Sequence, residues 1–435
     1  MTIEDILADM IRIQTVNPPG GETEVARYLK RLFDEYKIPN EIIESSPGRG
    51  SFLAYLGDGE RRLLYTAHTD VVPAGEGWSF APFSGEIKDG FVHGRGTMDC
   101  KGLVAAEAYA VIHLALNVKL GGKLIFVASA DEESGGTLGW KYLAENVKDK
   151  IKADFAIGEG TGQAMRIGGK TCHFVDTGEK GVAWAKLRAK GFSSHGSLPT
   201  LGDNAIVKMA EAIRALARYQ PKITLIPEVK KLIQTVAELE GFDGEVSEEN
   251  VDQVIQRLGN KHLAGHMSSV TRMTVSPDVV QGGLKINTVP DNCEAEVDIR
   301  ILPGQDKEYI VRELGQLIGG VEMEISNYNV ASFSPSDSEH YRLISDALKE
   351  VMGDVLVLPY FCPAFTDVRY LRGVGIPSYG IGTLARNLDP AMLQSIHNFD
   401  ERLDIESLRL TSDFLIKLAR KYLGDQVAAG KGALT

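Results

Sequence analysis

The stretch "VASADEESGG", residues 127–136, places three consecutive carboxylates directly after an apolar run. The carboxylates belong to Asp131, Glu132 and Glu133, and a Ser-Gly-Gly turn follows them. The preceding "KLIFVASA" is almost continuously apolar, which predicts a central strand covered on both faces. An isolated acidic triplet is usually a solvated turn, but open α/β sheets bind ligands at the carboxyl ends of their strands. The triplet is therefore a candidate binding site.

Length and composition indicate a globular protein with more than one core. A chain of 435 residues exceeds what one core comfortably fills, so two domains are expected. The net charge of −12 argues against a nucleic-acid or anionic-membrane partner. The acidic start "MTIEDILADMIRI" predicts an amphipathic helix rather than a secretory signal, and no apolar run is long enough to span a bilayer. The four cysteines have no paired spacing, which is typical of reduced thiols in a cytoplasmic protein.

The periodicity of apolar residues predicts two interleaved domains. Alternating helix and strand patterns over residues 1–177 predict a layered α/β domain, and the same character returns over 331–423. Residues 178–330 follow a β-α-β-β-α-β order, which matches a small ferredoxin-like α+β sandwich. The polar segment 220–265 interrupts this order as an insertion. We expect the smaller domain to be inserted in the larger one, and residues 424–435 to form a flexible tail.

Further histidines and carboxylates stand at predicted element boundaries. The segments are "TAHTD" with His68 and Asp70, "GRGTMDCKG" with Asp99, "IGEG" with Glu159, and "SIHNFDE" with His397. Each alone has an ordinary explanation, such as a satisfied histidine or a helix cap. Their joint occurrence predicts a metal site, because such a site needs ligands from separate elements that converge on one edge. His68 and Asp70 are two residues apart, so Asp70 can accept the second imidazole N–H of a ligating His68.

The set "TAHTDVVPAG", "GRGTMDCKG", "ASADEESGG", "GEG" and "HNFDERL" resembles the di-zinc peptidase and deacylase family of acetylornithine deacetylase, succinyl-diaminopimelate desuccinylase, aminoacylase and glutamate carboxypeptidase. The resemblance covers nearly the whole chain. It implies a layered α/β di-zinc catalytic domain with an inserted ferredoxin-like α+β lid and dimerisation domain. It also implies that one Zn²⁺ is held by His68 and Glu159 and a second by Glu133 and His397, with Asp99 bridging both. Co²⁺ and Mn²⁺ are the expected substitutes.

The resemblance also separates the roles of the acidic triplet. Consecutive side chains leave a strand in divergent directions, so Glu132 and Glu133 do not easily serve one ion together. Glu133 is expected to be a ligand, and Glu132 to be the general acid/base. Asp131 is expected to be structural, and the peptide bond between Asp99 and Cys100 is expected to be cis.

Three residues of the inserted domain match substrate-binding positions of the family. His195, in "GFSSHGSLPT", resembles a lid histidine that donates to the tetrahedral oxyanion, commonly from a neighbouring subunit; the alternative is an ordinary polar loop residue. Asn287 and Arg300 match positions that contact the carboxylate of the substrate. An arginine offers the bidentate fork that such a group needs, although a structural ion pair is the alternative for Arg300.

The expected function is that of a cytoplasmic, homodimeric amide hydrolase that releases an amino acid from an N-acyl amino acid by metal-activated water. A dipeptidase or carboxypeptidase with the same di-metal site is the alternative. Glu159 favours the deacylase, because peptide-cleaving relatives tend to have aspartate there. Phe365, in "PAFTD", stands where the deacetylase pattern has glycine, which predicts a narrower or more apolar pocket. A catalytically silent binding protein is disfavoured, because all five ligands and Glu132 are present.

Overall fold

The computed structural model describes residues 1–161, 164–386 and 390–426. The chain divides into two compact units. Unit 1 comprises Met1–Thr177, Ser334–Tyr360 and the described chain from Thr366 onward, and unit 2 comprises Gly178–Phe333 and Phe361–Phe365. The short segment 361–365, which the sequence assigns to the larger domain, thus groups with unit 2.

The helices of the described chain are α1 (Ile3–Arg12), α2 (Thr23–Glu35), α3 (Lys101–Asn117), α4 (Tyr142–Asn146), α5 (Lys148–Ile151), α6 (Ala205–Arg218), α7 (Pro227–Leu239), α8 (Val251–Arg257), α9 (Lys261–Val270), α10 (Lys307–Gly315), α11 (Glu339–Met352), α12 (Val368–Gly373), α13 (Pro390–Ser395) and α14 (Ile405–Leu423). The strands are β1 (Asn40–Glu44), β2 (Gly50–Leu56), β3 (Arg62–His68), β4 (Glu86–Lys88), β5 (Phe91–His93), β6 (Lys119–Leu120), β7 (Lys123–Ser129), β8 (Phe155–Glu159), β9 (Met165–Ile167), β10 (Lys170–Glu179), β11 (Gly181–Lys190), β12 (Thr274–Gly282), β13 (Asn292–Ile301), β14 (Glu322–Asn329), β15 (Ser332–Phe333), β16 (Leu356–Cys362), β17 (Ser378–Ile381), β18 (Arg402–Asp404) and β19 (Asp425–Gln426).

The main sheet of unit 1 has a parallel centre. Its strands follow the order β1-β2-β7-β3-β8-β17-β10. Strand β3 is parallel to both β7 and β8, and β17 is parallel to β8. The carboxyl ends of these four strands therefore meet at one edge of the sheet, which is where ligands of α/β folds bind. Since β7 is buried along six of its seven residues, the apolar run "KLIFVAS" forms a central strand, as its composition predicts.

Helices cover both faces of this sheet. One face of β3, which carries Leu63, Tyr65 and Ala67, packs in a core that includes residues of α1, α2, α3 and α14. Leu64, on the opposite face of β3, belongs to a second core with Trp140 and residues of α4 and α12. Unit 1 is thus a three-layer α/β structure, and the predicted fold class is confirmed.

Local sequence signals fix the first and last helices of unit 1. The hydroxyl of Thr2 accepts a hydrogen bond from the amide of Asp5, whose carboxylate accepts one from the amide of Thr2. This reciprocal capping box begins α1. Asp404 caps α14 by accepting from the amide of Ser407 at 2.7 Å.

Unit 2 contains an antiparallel four-stranded sheet in the order β12-β13-β11-β14. Helices α6 and α10 contribute to the apolar core on one face of it, so the β-α-β-β-α-β pattern forms the predicted ferredoxin-like sandwich. The segment expected as an insertion contains the helices α7 and α8 and the start of α9. Buried side chains of α7, among them Val229, Leu232 and Val236, give this insertion an apolar interior.

Two smaller expectations concern the backbone. The peptide bond between Asp99 and Cys100 is cis, as the resemblance implies. Near the start of the expected flexible tail, Asp425 and Gln426 form β19, which pairs with β6. Residues 427–435 of that tail lie outside the described residues.

Candidate metal centre and active site

The predicted ligands of unit 1 gather at the carboxyl ends of its parallel strands. His68 is the last residue of β3, and Glu159 is the last residue of β8. Glu132 and Glu133 follow the end of β7 in a short 3-10 turn. Because β7, β3 and β8 are neighbours, their ends deliver an imidazole and several carboxylates to one place.

Asp99 lies between two histidines. Its Oδ1 is 2.9 Å from Nε2 of His68, and its Oδ2 is 3.0 Å from Nε2 of His397. One carboxylate therefore faces two imidazoles with different oxygens. This is the geometry that a bridging ligand between two cations needs.

Each histidine has a second carboxylate beside it. Oε2 of Glu159 is 3.5 Å from Nε2 of His68. Oε2 of Glu133 is 3.5 Å from Nε2 of His397. The five residues thus form two groups that share Asp99, and ligand atoms of His68, Asp99 and Glu133 lie within 4.8 Å of one another.

The pKa values of three of these residues are raised, in part by the concentration of negative charge. Burial, and then the nearby Asp99, raise the pKa of Glu159 to about 8. Hydrogen bonds with Asp99 and then Glu133 raise the pKa of His397 to about 10. Burial acts to lower the pKa of His68, but its acidic neighbours raise it well above the ordinary value. The raised pKa values of His68, Glu159 and His397 therefore reflect in part the negative charge of the neighbouring carboxylates, which bound metal cations would also neutralise.

The donor set fits divalent metal ions. Two imidazoles and three carboxylates are the ligands that Zn²⁺ and similar ions take from proteins. Oε1 of Glu133 is buried and has no hydrogen-bond partner within residues 1–161, 164–386 and 390–426. Leaving a buried carboxylate oxygen unpaired is costly, and a cation would satisfy it.

The charges of residues in these two groups also act on Glu132. Burial raises the pKa of its carboxyl well above the usual range, and the charges that act on it include those of His68, Glu159 and Asp367. Its carboxyl therefore belongs to the same acidic site. A carboxyl group that binds its proton readily in this way is suited to proton transfer.

Asp70 contacts the acidic turn as well as His68. Nδ1 of His68 is 3.0 Å from the backbone oxygen of Asp70 and 3.4 Å from its Oδ1, so the backbone carbonyl is the nearer acceptor. The carboxylate of Asp70 also accepts the amide N–H of Glu132 at 3.1 Å and that of Glu133 at 3.0 Å. Asp70 therefore fixes the backbone of both glutamates, which its spacing from His68 does not predict.

Asp131 is a structural residue. It lies in the left-handed region with φ 71°. Its carboxylate accepts hydrogen bonds from Arg49 at 2.7 Å, from the side chain of Asn17 at 3.2 Å and from the amide of Leu138 at 2.7 Å. The side chain thus holds the start of the turn from which Glu132 and Glu133 project.

Sequence reasoning missed Glu401, which supports the bridging loop. Its buried carboxylate accepts the amides of Gly96, Met98 and Asp99, and it forms an ion pair with Arg95. One carboxylate therefore fixes the loop that carries Asp99 and lies four residues after His397. The signal was available, because "HNFDERL" contains Glu401, but an acidic residue in a loop is ordinarily exposed.

Asp367 and Arg369 were also missed. Asp367 is buried and accepts a hydrogen bond from Ser129 at the end of β7, and burial raises its pKa to about 7. Arg369 and Tyr370 both donate to the backbone oxygen of Gly135, at 2.8 and 2.7 Å. The start of α12 thus braces the acidic turn through contacts that only the tertiary structure reveals.

The other predicted site residues lie in unit 2. His195 is exposed, and its Nδ1 accepts the amide N–H of Ser197 at 3.2 Å. In the neutral imidazole the proton is then on Nε2, which makes that atom a donor. The backbone oxygen of Asn287 accepts the amide of Gly196 at 2.8 Å, so the segments that carry His195 and Asn287 are adjacent.

Arg300 has both a structural partner and a free donor group. It donates to both oxygens of Asp298, at 2.7 and 3.0 Å, and its guanidinium lies 5.6 Å from the ring centre of Phe365. Its Nη1 is buried and has no hydrogen-bond partner in the described part of the chain. The structural ion pair expected as the alternative for Arg300 is therefore present. Its Nη1 remains as a donor for a ligand.

The four cysteines are free and buried. Cys100 lies beside His68 and Glu159 and belongs to the apolar core of unit 1. Burial, and then Glu159, raise the pKa of the Cys100 thiol well above its usual value. The thiol of Cys100 thus packs in the apolar core next to two of the proposed ligands.

The chain matches Peptidase family M20/M25/M40 over residues 64–421. It belongs to this family. A relative from Staphylococcus aureus strain MSSA476, named probable succinyl-diaminopimelate desuccinylase, is 28% identical over 431 residues, which cover 97% of each chain. The resemblance inferred from the motifs is thereby confirmed.

Solved structures of the M20 family have the same fold. A metallo-carboxypeptidase from Sulfolobus solfataricus has a TM-score of 0.72 at 21% identity, over 97% of this chain and 99% of that chain. The YXEP protein of Bacillus subtilis, described as a dinuclear metal binding peptidase, has a TM-score of 0.61 at 16% identity, over 97% of this chain and 98% of that chain.

Family membership and the site together identify a metal-dependent hydrolase of amide bonds with a divalent metal cofactor. Among the described residues, helices that combine the length and apolar character needed to cross a membrane are absent.

Proposed function

We propose that this M20 protein is a di-zinc deacylase that releases an amino acid from an N-acyl amino acid. His68 and Glu159 would hold one Zn²⁺, Glu133 and His397 the other, and Asp99 would bridge them. The observation that carries the proposal is the position of Asp99, whose two oxygens lie 2.9 and 3.0 Å from the imidazoles of His68 and His397. Co²⁺ and Mn²⁺ have similar ligand preferences and are the substitutes to test.

In the proposed reaction Glu132 moves the proton. Bound divalent metal ions supply Lewis acidity, which lowers the pKa of water to about 7 and polarises a carbonyl group. The carboxylate of Glu132 takes the proton from the attacking water and delivers it to the amine that leaves. Asp70 supports this step, because it fixes the backbone amides of Glu132 and Glu133.

The residues of unit 2 would bind the substrate. The Nε2–H of His195 is a suitable donor to the oxyanion that develops during amide hydrolysis. Arg300, through its unpaired Nη1, and Asn287 would bind the carboxylate of the substrate. Unit 2 would thus act as the lid, and as the surface through which two chains form a homodimer in the cytoplasm.

The choice between deacylase and peptidase rests on two observations. Glu159 stands where peptide-cleaving relatives tend to have aspartate, and the Staphylococcus aureus relative is named a probable desuccinylase. A dipeptidase or carboxypeptidase on the same site is the second candidate, favoured by the Sulfolobus solfataricus structure, which is named a metallo-carboxypeptidase.

The test is hydrolysis of matched substrates by the metal-free chain reloaded with Zn²⁺, Co²⁺ or Mn²⁺. The panel contains N-acetyl and N-succinyl amino acids, dipeptides of the same amino acids, and methyl esters of each as controls for carboxylate recognition. We expect metal-dependent release of the amino acid with the highest kcat/KM on an N-acyl amino acid bearing a free carboxylate. Faster cleavage of dipeptides would favour the second candidate, and no cleavage with any metal would overturn both.

A further inference from the structure

Asn17 is the centre of a buried hydrogen-bond network behind the acidic turn of unit 1. Only 4% of its surface is exposed. Its Nδ2 donates to Oδ2 of Asp70 at 2.8 Å and to Oδ1 of Asp131 at 3.2 Å, while its Oδ1 accepts from Arg49 at 3.2 Å. Both polar atoms of the amide are therefore used, and each contact reaches a charged side chain.

The network continues from Asp70 to the two glutamates of the proposed site. Oδ2 of Asp70, which accepts from Asn17, also accepts the amide N–H of Glu133 at 3.0 Å. Oδ1 of Asp70 accepts the amide N–H of Glu132 at 3.1 Å. Asp70 thus connects the side chain of Asn17 to the backbone of the proposed base, Glu132, and of the proposed ligand Glu133.

Arg49 holds the opposite side of the amide and balances charge. It lies 2.7 Å from both Glu22 and Asp131, and it also donates to the backbone oxygen of Pro19 at 2.7 Å. Glu22 in turn accepts the amide N–H of Asp131 at 3.1 Å. Because these groups are buried and mutually paired, the orientation of the Asn17 amide is strongly determined.

The backbone around Asn17 is fixed against the strand end that carries Asp70. The amide of Asn17 donates to the oxygen of Val71 at 2.9 Å, and the amide of Val71 donates to the oxygen of Thr15 at 3.0 Å. The hydroxyl of Thr15 donates to the oxygen of Thr69 at 2.6 Å. Residues 15–17 therefore form a rigid support directly beside residues 69–71.

We propose that Asn17 is a positioning residue for amide hydrolysis. Its amide, oriented by Arg49, holds Asp70 so that Asp70 fixes the backbone of Glu132 and Glu133. The inference rests on the proposed roles of these two glutamates. Partners that orient the residues of a metal site typically contribute about 10- to 100-fold to metal affinity or activity.

The test replaces Asn17 by aspartate, which has the same shape but presents an oxygen where Nδ2 faced two carboxylates. We expect Asn17→Asp to lower kcat about 10- to 100-fold with little change in KM, and to weaken Zn²⁺ binding to the metal-free chain by a similar factor. Asn117→Asp is the matched control, because Asn117 is exposed and ends α3, the helix that begins just after Asp99. This control should resemble wild type in both measurements.

A second variant, Asn17→Ser, adds no charge. Like Asn17→Asp, it should lower kcat and weaken zinc binding. Wild-type kcat and zinc affinity in either folded variant would overturn the proposal. A lower Tm without a change in these two quantities, or failure of both variants to fold, would show a purely structural role and would overturn it too. The zinc titration needs no substrate, so it decides the role of Asn17 even where the substrate assay refutes the proposed function.

Discussion

His68 and Asp70 of unit 1 are held in a different way from His195 and Asn287 of unit 2. In unit 1, His68 and Asp70 are buried. The carboxylate of Asp70 accepts hydrogen bonds from two backbone amides and from the side chain of Asn17. In unit 2, His195 and Asn287 are exposed, and the contacts described for them come from neighbouring loop residues.

This difference separates two kinds of function. Buried, paired groups keep one geometry, which suits metal ligation and proton transfer. Exposed loop residues can change position at small cost, which suits a group that contacts a substrate after it binds. Variants of the proposed ligands in unit 1 should therefore lower the metal content, and Glu132 variants should lower kcat alone, whereas variants in unit 2 should affect kinetic constants and leave the metal content unchanged.

The largest effect is expected from Glu132→Gln. The change removes proton transfer but no proposed ligand, so kcat should fall about 10²- to 10⁴-fold while both metal ions remain. Steady-state kinetics and metal analysis of the same preparation measure both quantities. If the variant keeps most of its kcat, the base is another residue, and unit 1 supplies only the metal site.

His195→Ala should lower kcat about 10²- to 10³-fold, the loss typical of one oxyanion donor, without changing the metal content. Mixing inactive His195→Ala and Glu132→Gln chains under exchange conditions then tests the homodimer. If His195 acts across the dimer, a mixed dimer has one intact site, and activity should recover to about a quarter of wild type. No recovery despite verified exchange would restrict His195 to its own chain.

Arg300→Lys should raise KM about 10- to 100-fold with little change in kcat, because a lysine cannot reproduce the bidentate fork. Methyl esters of the substrates provide the control, since they lack the carboxylate and should be nearly insensitive to the change. An unchanged KM for the free acids would leave Arg300 with only its structural contact to Asp298.

The smallest effect is expected on the exposed face of the sheet in unit 2. Lys190 and Glu322 form an ion pair at 3.1 Å, with side chains 69% and 60% exposed. Solvent screens such a pair, so Lys190→Ala should keep kcat and change the free energy of unfolding by less than about 1 kcal/mol. Urea unfolding measures this, and a larger loss would mean that exposed contacts stabilise unit 2 more than expected.

The sequence predicts part of the site of unit 1 because His68, the acidic turn and Glu159 stand at strand ends, whereas Asp99 and His397 lie in loops and are assigned from the family resemblance. The apolar runs that precede His68, Asp131 and Glu159 are visible in the sequence, and parallel neighbours bring their ends together. The β-α-β-β-α-β pattern of unit 2 is equally visible, because its strands and helices are long and regular.

The supporting residues could not be predicted in the same way. Glu401 accepts backbone amides of a loop about 300 residues earlier, at separations of 302 to 305 residues, and Asn17 reaches Asp131 across 114 residues. Such contacts depend on the tertiary arrangement, and no local periodicity marks them. The pairing of β19 with β6, through Asp425 and Gln426, is likewise not marked by any pattern in the sequence.

An equilibrium titration of the metal-free chain with Zn²⁺, for wild type and for Asp99→Ala, tests the shared di-metal site. We expect two ions per wild-type chain, with activity that appears as the sites fill. Asp99→Ala should weaken both sites together, because one carboxylate faces both histidines. A wild-type chain that is fully active with a single ion, or an Asp99→Ala variant that binds two ions as wild type does, would show that Asp99 does not join two metal sites.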